Sequence, residues 1–228
     1  NNQKYYLNRG VSSNQIFKTP YAIDNEKFIS GAKTVEPMRK KFKSQLGIGA
    51  EQKVILFVGK FIPRKCPHLL IKAYNRIDWG GNTRPALLFV GDGEMKGKLR
   101  DLAPDAIFLG FKNQSELPAI YSIADVMVLP SKREPWGLVV NEAMACGTAV
   151  IVSDQVGCAT DLINDTCGRV FPSGDVGMLS SSIIHCLENS DSMGKVSKEI
   201  IINWGFSEDI TGLKGAIRYM GSIDAGKT

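Results

Sequence analysis

The chain has 228 residues, 43% hydrophobic and 22% charged, with a formal net charge of +5. It reads as an ordinary globular protein, long enough to bury a sizeable core without disulfides or metals. No run approaches 18 apolar residues, which excludes a spanning helix, and no long basic tract points to nucleic acid.

In chain order, Tyr5, Tyr6 and Leu7 read as the end of a helix stopped near Gly10. Gln15 to Lys18 reads as a short strand, followed by Pro20, a turn at Asp24-Asn25 and a polar loop. A helix is predicted from about Pro37 to Gln45, ended by Gly47. It carries the densest basic run, Arg39, Lys40, Lys41 and Lys43 with Phe42 among them. That run is a solvated helix face on the plain reading and a contact for anionic lipid or acidic polymer on the sharper one. The five cysteines are odd in number and lack CxxC spacing, as expected of reduced thiols in a cytosol. His68 and His185 each lack a second ligand nearby in sequence and read as packed or surface residues. The chain opens without Met on a helical-looking stretch, as expected for a piece of something longer.

Past residue 47 the rhythm changes. Short apolar runs at Val54–Val58, Ala86–Val90, Ala106–Leu109, Val126–Leu129, Ala149–Val152 and Arg169–Phe171 alternate with amphipathic stretches. Helices are expected at about 67–77, 94–103, 115–123, 138–145 and 159–163. Strands of four to six residues alternating with helices predict βαβ units, and their two-sided apolarity predicts helices on both faces. The fold class is therefore α/β, a doubly wound, Rossmann-like parallel sheet with helical extensions at both ends. The expected division is 1–47 as a linker segment and helix, 48–190 as the Rossmann-like domain and 191–228 as a helical tail, with Ser207 capping a last helix to about Met220. Ligands of such sheets bind beyond the carboxyl ends of the strands, so the loops after each run are the candidates.

The first loop, Gly59-Lys60-Phe61-Ile62-Pro63-Arg64-Lys65, holds three cations in six residues and suits a phosphate or diphosphate, against a plain solvated loop. The second, from Gly91, reads GxGxxxG rather than GxGxxG, so it is a tight turn and not a dinucleotide fingerprint. The fourth loop is the most informative. Pro130 to Trp136 leads from a strand into a helix that begins near Gly137 and ends at Gly147. The helix start offers backbone N–H groups at Gly137 and Leu138 to an anion. Glu134 precedes it and Glu142 lies on it, eight positions later. Carboxylates on either side of a phosphate site make sense as acceptors for hydroxyls, and a nucleotide-sugar has that layout of sugar, diphosphate and ribose. The plain alternative is one surface glutamate and one on a helix face.

Glu134 to Glu142 resembles the E-x7-E pattern of retaining GT-B glycosyltransferases, particularly family four. Tyr21 to Phe28 resembles the lead-in to that family's C-terminal, donor-binding domain, and Val58-Gly59-Lys60 to Lys65, with Leu69 to Ala73 behind it, resembles its phosphate loop and helix. Gly91-Asp92-Gly93, Phe108-Leu109-Gly110, Ala124-Asp125, Gly157, Asp161-Leu162-Ile163 and Gly168 match in order, so the resemblance covers about residues 5–220.

The resemblance implies one half of a GT-B fold and a metal-independent, retaining hexosyl transfer from a UDP- or GDP-sugar, with no other cofactor. Glu134 would face the donor sugar as the catalytic carboxylate, and Glu142 would bind the ribose hydroxyls. Lys65, with Gly59 and with Lys60 (where the family usually has arginine), would neutralise the diphosphate. The loop from Gly110 to Phe111 and the helix carrying Leu117 and Tyr121 would border the base. Cys158 to Asp161 stands where a second glycine and a glutamate are commoner. The acceptor, a carbohydrate or lipid-linked glycan of surface polysaccharide, would belong to a missing N-terminal domain, leaving this piece inactive or weakly active. The parent would be cytoplasmic, or peripheral at the inner membrane face. A non-catalytic nucleotide-sugar module and a phosphorylase or epimerase relative are the alternatives. Gly221 to Thr228 spells GxxxxGKT, but a P-loop needs a strand before it and a helix after it, and this string has neither.

Overall fold

The computed structural model describes residues 2–81 and 83–225. A short helix, α1 (Asn2–Leu7), opens the chain, followed by α2 (Asn25–Val35) and α3 (Arg39–Gln45). Then come β1 (Val54–Val58), α4 (Pro67–Arg76), β2 (Ala86–Val90), α5 (Lys96–Leu102) and β3 (Ile107–Phe108). The second half adds α6 (Leu117–Ile123), β4 (Val126–Leu129), α7 (Leu138–Ala145), β5 (Ala149–Ser153), α8 (Ala159–Leu162) and β6 (Gly168–Phe171). Three helices close the described chain: α9 (Val176–Glu188), α10 (Ser190–Ile202) and α11 (Phe206–Ala225).

Among the described residues the strands form one six-stranded sheet in the order β3-β2-β1-β4-β5-β6, every neighbouring pair parallel. The order reverses between β1 and β4, the switch point at which a doubly wound sheet opens a crevice. All five residues of β1 are buried. Val54, Leu56 and Val58 face a core with Phe28, Tyr121, Met127 and Ala143, while Ile55 and Phe57 face a second with Leu70, Phe89, Phe171 and Ile183. Strand side chains alternate across the sheet, so a run apolar at every position is what two covered faces require. The five cysteines are free and buried within these layers.

Three expectations need correcting. Residues 25–35 are not a polar loop but α2, capped by the Asp24 carboxylate, which accepts from the Lys27 N–H at 3.0 Å. The helix buries only Phe28 and Ala32, and Gly31 lets it lie on Pro118 of α6, where an added Cβ would be 2.7 Å away. Gln15 to Lys18 is not a strand. Gln15 closes a 3-10 turn from Ser13, and residues 16–18 lie against α11, whose Gly212 would place a Cβ 1.9 Å from the Lys18 carbonyl. Ser207 does not cap α11 but sits inside it, and the Glu208 carboxylate accepts from the Gly205 N–H at 2.8 Å instead. The GxxxxGKT string is helical through Ala225, and its last three residues lie outside the described residues.

Candidate active site

The loop after β1 is anchored by its one aromatic residue. Phe61 is fully buried against Phe57 and Phe89, at ring separations of 6.0 and 6.1 Å, which leaves Lys60 and Arg64 exposed on either side. Gly59 has φ 149°, a conformation that disfavours a side chain. Gly91 and Gly93 then serve packing. A Cβ on Gly91 would fall 1.9 Å from the Gly59 carbonyl oxygen, and one on Gly93 would fall 2.6 Å from that of Phe61. A 3-10 turn, Pro63–Lys65, and a left-handed Cys66 (φ 52°) deliver the chain into α4.

The loop after β4 is pinned on both sides. The Lys132 N–H donates to the Arg64 carbonyl at 2.9 Å, tying it to the β1 loop. The Glu134 N–H donates to Gln155, and the Glu134 carbonyl accepts from Gly157 at 2.9 Å, tying it to the loop after β5. A Cβ on Gly157 would lie 1.9 Å from the Pro135 carbonyl oxygen, so only glycine permits this approach. The Lys65 ammonium meets the Glu134 carboxylate directly, with side chains only 14% and 12% exposed. The two residues are 69 positions apart in sequence. Gly137, at φ 98°, turns the chain into α7. The first N–H groups of α7 thus begin four residues beyond Glu134, where the helix dipole is positive.

Glu142 points into the protein. It is 8% exposed, and its carboxylate accepts from the Tyr121 hydroxyl at 2.8 Å. Burial raises its pKa, and the Tyr121 bond partly offsets the rise. Burial, then the neighbouring Glu142 charge, pushes the Tyr121 phenol well above its ordinary value. Beside it, the fully buried Asn141 accepts from the Trp136 indole N–H at 3.0 Å and donates to the Tyr21 carbonyl at 3.1 Å. Trp136 stacks on Trp204 (5.6 Å) and meets Tyr21 at a tilt (5.4 Å, 32°), and Lys18 Nζ sits 3.7 Å over Trp204.

Of the residues singled out in sequence, Lys65 and Glu134 come together at the mouth of β1 and β4, with Gly59, Gly137 and a 42%-exposed Leu138 around them. Lys60 is exposed, without an ion pair among the described residues. Phe111 stands 75% exposed beyond β3, whereas Leu117, like Glu142, is 8% exposed. Asn141, the Tyr121–Glu142 bond and the Lys65–Glu134 pairing carry no local sequence signal.

The basic run of α3 faces the other end of the sheet. Arg39 donates to Asp125 at 3.1 Å, Lys43 is 3% exposed and donates to the Gln52 carbonyl at 2.6 Å, and Lys40 pairs with Glu51. Asp125 also takes Lys53 at 3.3 Å and the Val54 N–H at 2.7 Å. The run is therefore divided: Lys40 and Lys41 are exposed, as the solvated-face reading expects, while Arg39 and Lys43 are committed to partners inside the fold. Among the described residues no helix is long and apolar enough to cross a membrane.

The family model for glycosyl transferases group 1 matches residues 38–201, which takes in both loops and both glutamates. The chain belongs to that family. Among its group 1 relatives, a glycosyltransferase of Methanocaldococcus jannaschii is 34% identical over 176 residues, covering 74% of this chain and 41% of the relative. The D-inositol 3-phosphate glycosyltransferase of Mycobacteroides abscessus is 31% identical over 142 residues, covering 58% and 31%. The chain thus spans less than half the length of these curated relatives. In three dimensions it is similar to sucrose-phosphate synthase from Thermosynechococcus elongatus, at TM-score 0.73 and 26% identity, over 98% of this chain and 57% of that one. It shares its fold with HepE of Anabaena in complex with UDP, at TM-score 0.71 and 20% identity, over 98% and 61%.

Proposed function

We propose that this glycosyltransferase chain is the donor-binding part of a retaining enzyme, which holds a nucleoside-diphosphate sugar at the mouth of β1 and β4. The reading rests chiefly on the convergence of the Lys65 ammonium, the Glu134 carboxylate and the positive start of α7 at the sheet's switch point. A leaving diphosphate needs cations and N–H donors, and a pyranose needs a carboxylate to orient its hydroxyls. Here the two stand side by side.

In this reading Lys65, helped by Lys60 and the Gly137 and Leu138 N–H groups, stabilises charge as it develops on the departing phosphate. No metal is required. Glu134 gives up Lys65 to the diphosphate and turns to the donor sugar. Glu142, with one oxygen held by Tyr121, keeps the other for the ribose. Phe111 borders the base. Structural neighbours support a uridine donor, since HepE is known in complexes with UDP and UDP-glucose. GDP remains the alternative base. The acceptor, a carbohydrate or lipid-linked glycan, falls to an N-terminal domain preceding this chain, with residues 1–47 as the connection, 48–190 as the donor domain and 191–228 as a tail. Such a parent works in the cytoplasm or at the inner membrane face.

The test is calorimetric titration with UDP, GDP and ADP, with and without magnesium, on wild type, Glu142→Ala and Lys65→Ala. One nucleotide should bind without metal, and each substitution should weaken it by about 1–3 kcal/mol, as for a lost charge-assisted bond. Failure of every nucleotide to bind both this chain and the complete two-domain protein refutes the reading.

A further inference from the structure

An aromatic stack that includes Trp136, two residues from Glu134, has a buried middle and exposed ends. It runs from Lys18 over Trp204, through Trp136, to Tyr21. Trp204 is 9% exposed and Trp136 half-buried, but Tyr21 is 61% exposed. The exposed residue is held at two points, its ring and its main chain. Its ring lies against Trp136, and its backbone carbonyl is fixed by Asn141, the same buried amide that fixes the Trp136 indole. Trp136 is in turn two residues from Glu134, and its own carbonyl accepts from the Cys158 N–H at 3.1 Å.

A large aromatic residue, clamped by a buried side chain and left mostly in water, contributes little to the core. A fixed ring with free surface is instead what a pyranose needs. The C–H groups on one face of a sugar ring carry partial positive charge and meet the negative face of an aromatic ring. Rigidity matters because the ring is ordered before the ligand arrives. We propose that Tyr21, braced by Trp136 and Asn141, is a stacking platform for a pyranose ring beside Glu134. This rests on the donor-site reading above and adds a sugar-binding residue to it. The pyranose comes either from the donor or from the acceptor, and the chemistry is shared.

The experiment compares wild type, Tyr21→Phe and Tyr21→Ala. UDP alone is titrated first, then UDP-glucose, then methyl α-glucopyranoside and maltose at saturating UDP. Tyr21→Ala should leave UDP affinity unchanged and weaken a sugar-bearing probe by about 2- to 10-fold, the size of one aromatic contact, while Tyr21→Phe retains wild-type binding. Loss confined to UDP-glucose assigns the platform to the donor, and loss confined to the glycosides assigns it to the acceptor. The proposal is overturned if Tyr21→Ala binds every sugar probe as wild type does. It is also overturned if Tyr21→Ala weakens UDP equally, or if UDP binds but no probe gains from its sugar. Absence of UDP binding in wild type is a different outcome and counts against the donor site itself.

Discussion

The two ends of the parallel sheet handle charge in opposite ways. At the amino ends of β1 and β4, Asp125 is buried and accepts from Arg39, Lys53 and the Val54 backbone, so each of its bonds is made within the fold. At the carboxyl ends, Lys65 and Glu134 satisfy each other, but Lys60, Arg64, Lys132 and Arg133 line two adjacent loops and stand partly or fully in water. The first arrangement holds the sheet and α3 together. The second leaves exposed cations, which the proposed function assigns to a diphosphate. A count of charges in the sequence would not separate them, because the basic run at 39–43 is denser than the loop cations. What separates them is whether a partner sits inside the same protein.

The largest expected effect lies at the amino end. Asp125→Ala strands a buried N–H and unpairs two part-exposed cations, and should cost about 2–4 kcal/mol in denaturant unfolding. Gly157→Ala strikes the carboxyl end through the backbone. Its Cβ cannot share space with the Pro135 carbonyl, so the Glu134 loop must shift, at about 1–3 kcal/mol of stability, and nucleotide affinity should fall with it. An Asp125 variant that remains folded should keep that affinity, and equal loss in both would erase the contrast between the ends.

Glu134→Gln sharpens the contrast further. It frees Lys65, so UDP should bind as tightly as to wild type or more tightly. Transfer by the complete enzyme should fall by about 10²–10³, the size typical of one lost transition-state contact. Parallel loss of binding and turnover would instead make Glu134 a scaffold for the loop. For Glu142, burial raises the folded pKa above the ordinary 4.5, so the folded chain holds that proton more tightly than the unfolded one. Its contribution to stability is complete below about pH 4.5 and is lost as pH climbs through the raised pKa. Glu142→Gln should flatten that limb of a stability-versus-pH curve, and a curve superimposable on wild type would refute the account. The smallest effect belongs to Lys40→Ala. Its pair with Glu51 is exposed to water on both sides, and the Tm should not move.

The strands were legible because their burial is two-sided. A run such as Val54–Val58 has no polar position to spare, and its length and flanking glycine fix the element. The loops of interest followed from the rule that ligands sit beyond carboxyl ends. α2 was not legible, because a helix that buries only Phe28 and Ala32 and touches its neighbour through a glycine has almost no apolar period. Ser207 was misread because a carboxylate one residue later does the capping. Within the candidate site, Glu134 and Lys65 could be singled out from their loops, but their pairing could not. It arises from the crossover that sets β4 beside β1, long after Lys65 in the chain. The same holds for Tyr121 and Glu142, brought together by two helices on one face of the sheet.

The buried thiols have a practical consequence. Burial raises the pKa of all five cysteines, to about 12 for Cys158 and Cys186, so at neutral pH they hold almost no thiolate. A maleimide dye added to the folded protein should therefore find no native target. A single cysteine placed at Lys60 would be the one labelled position, and its fluorescence would follow the β1 loop as a nucleotide arrives, with every native residue of the core left as it is.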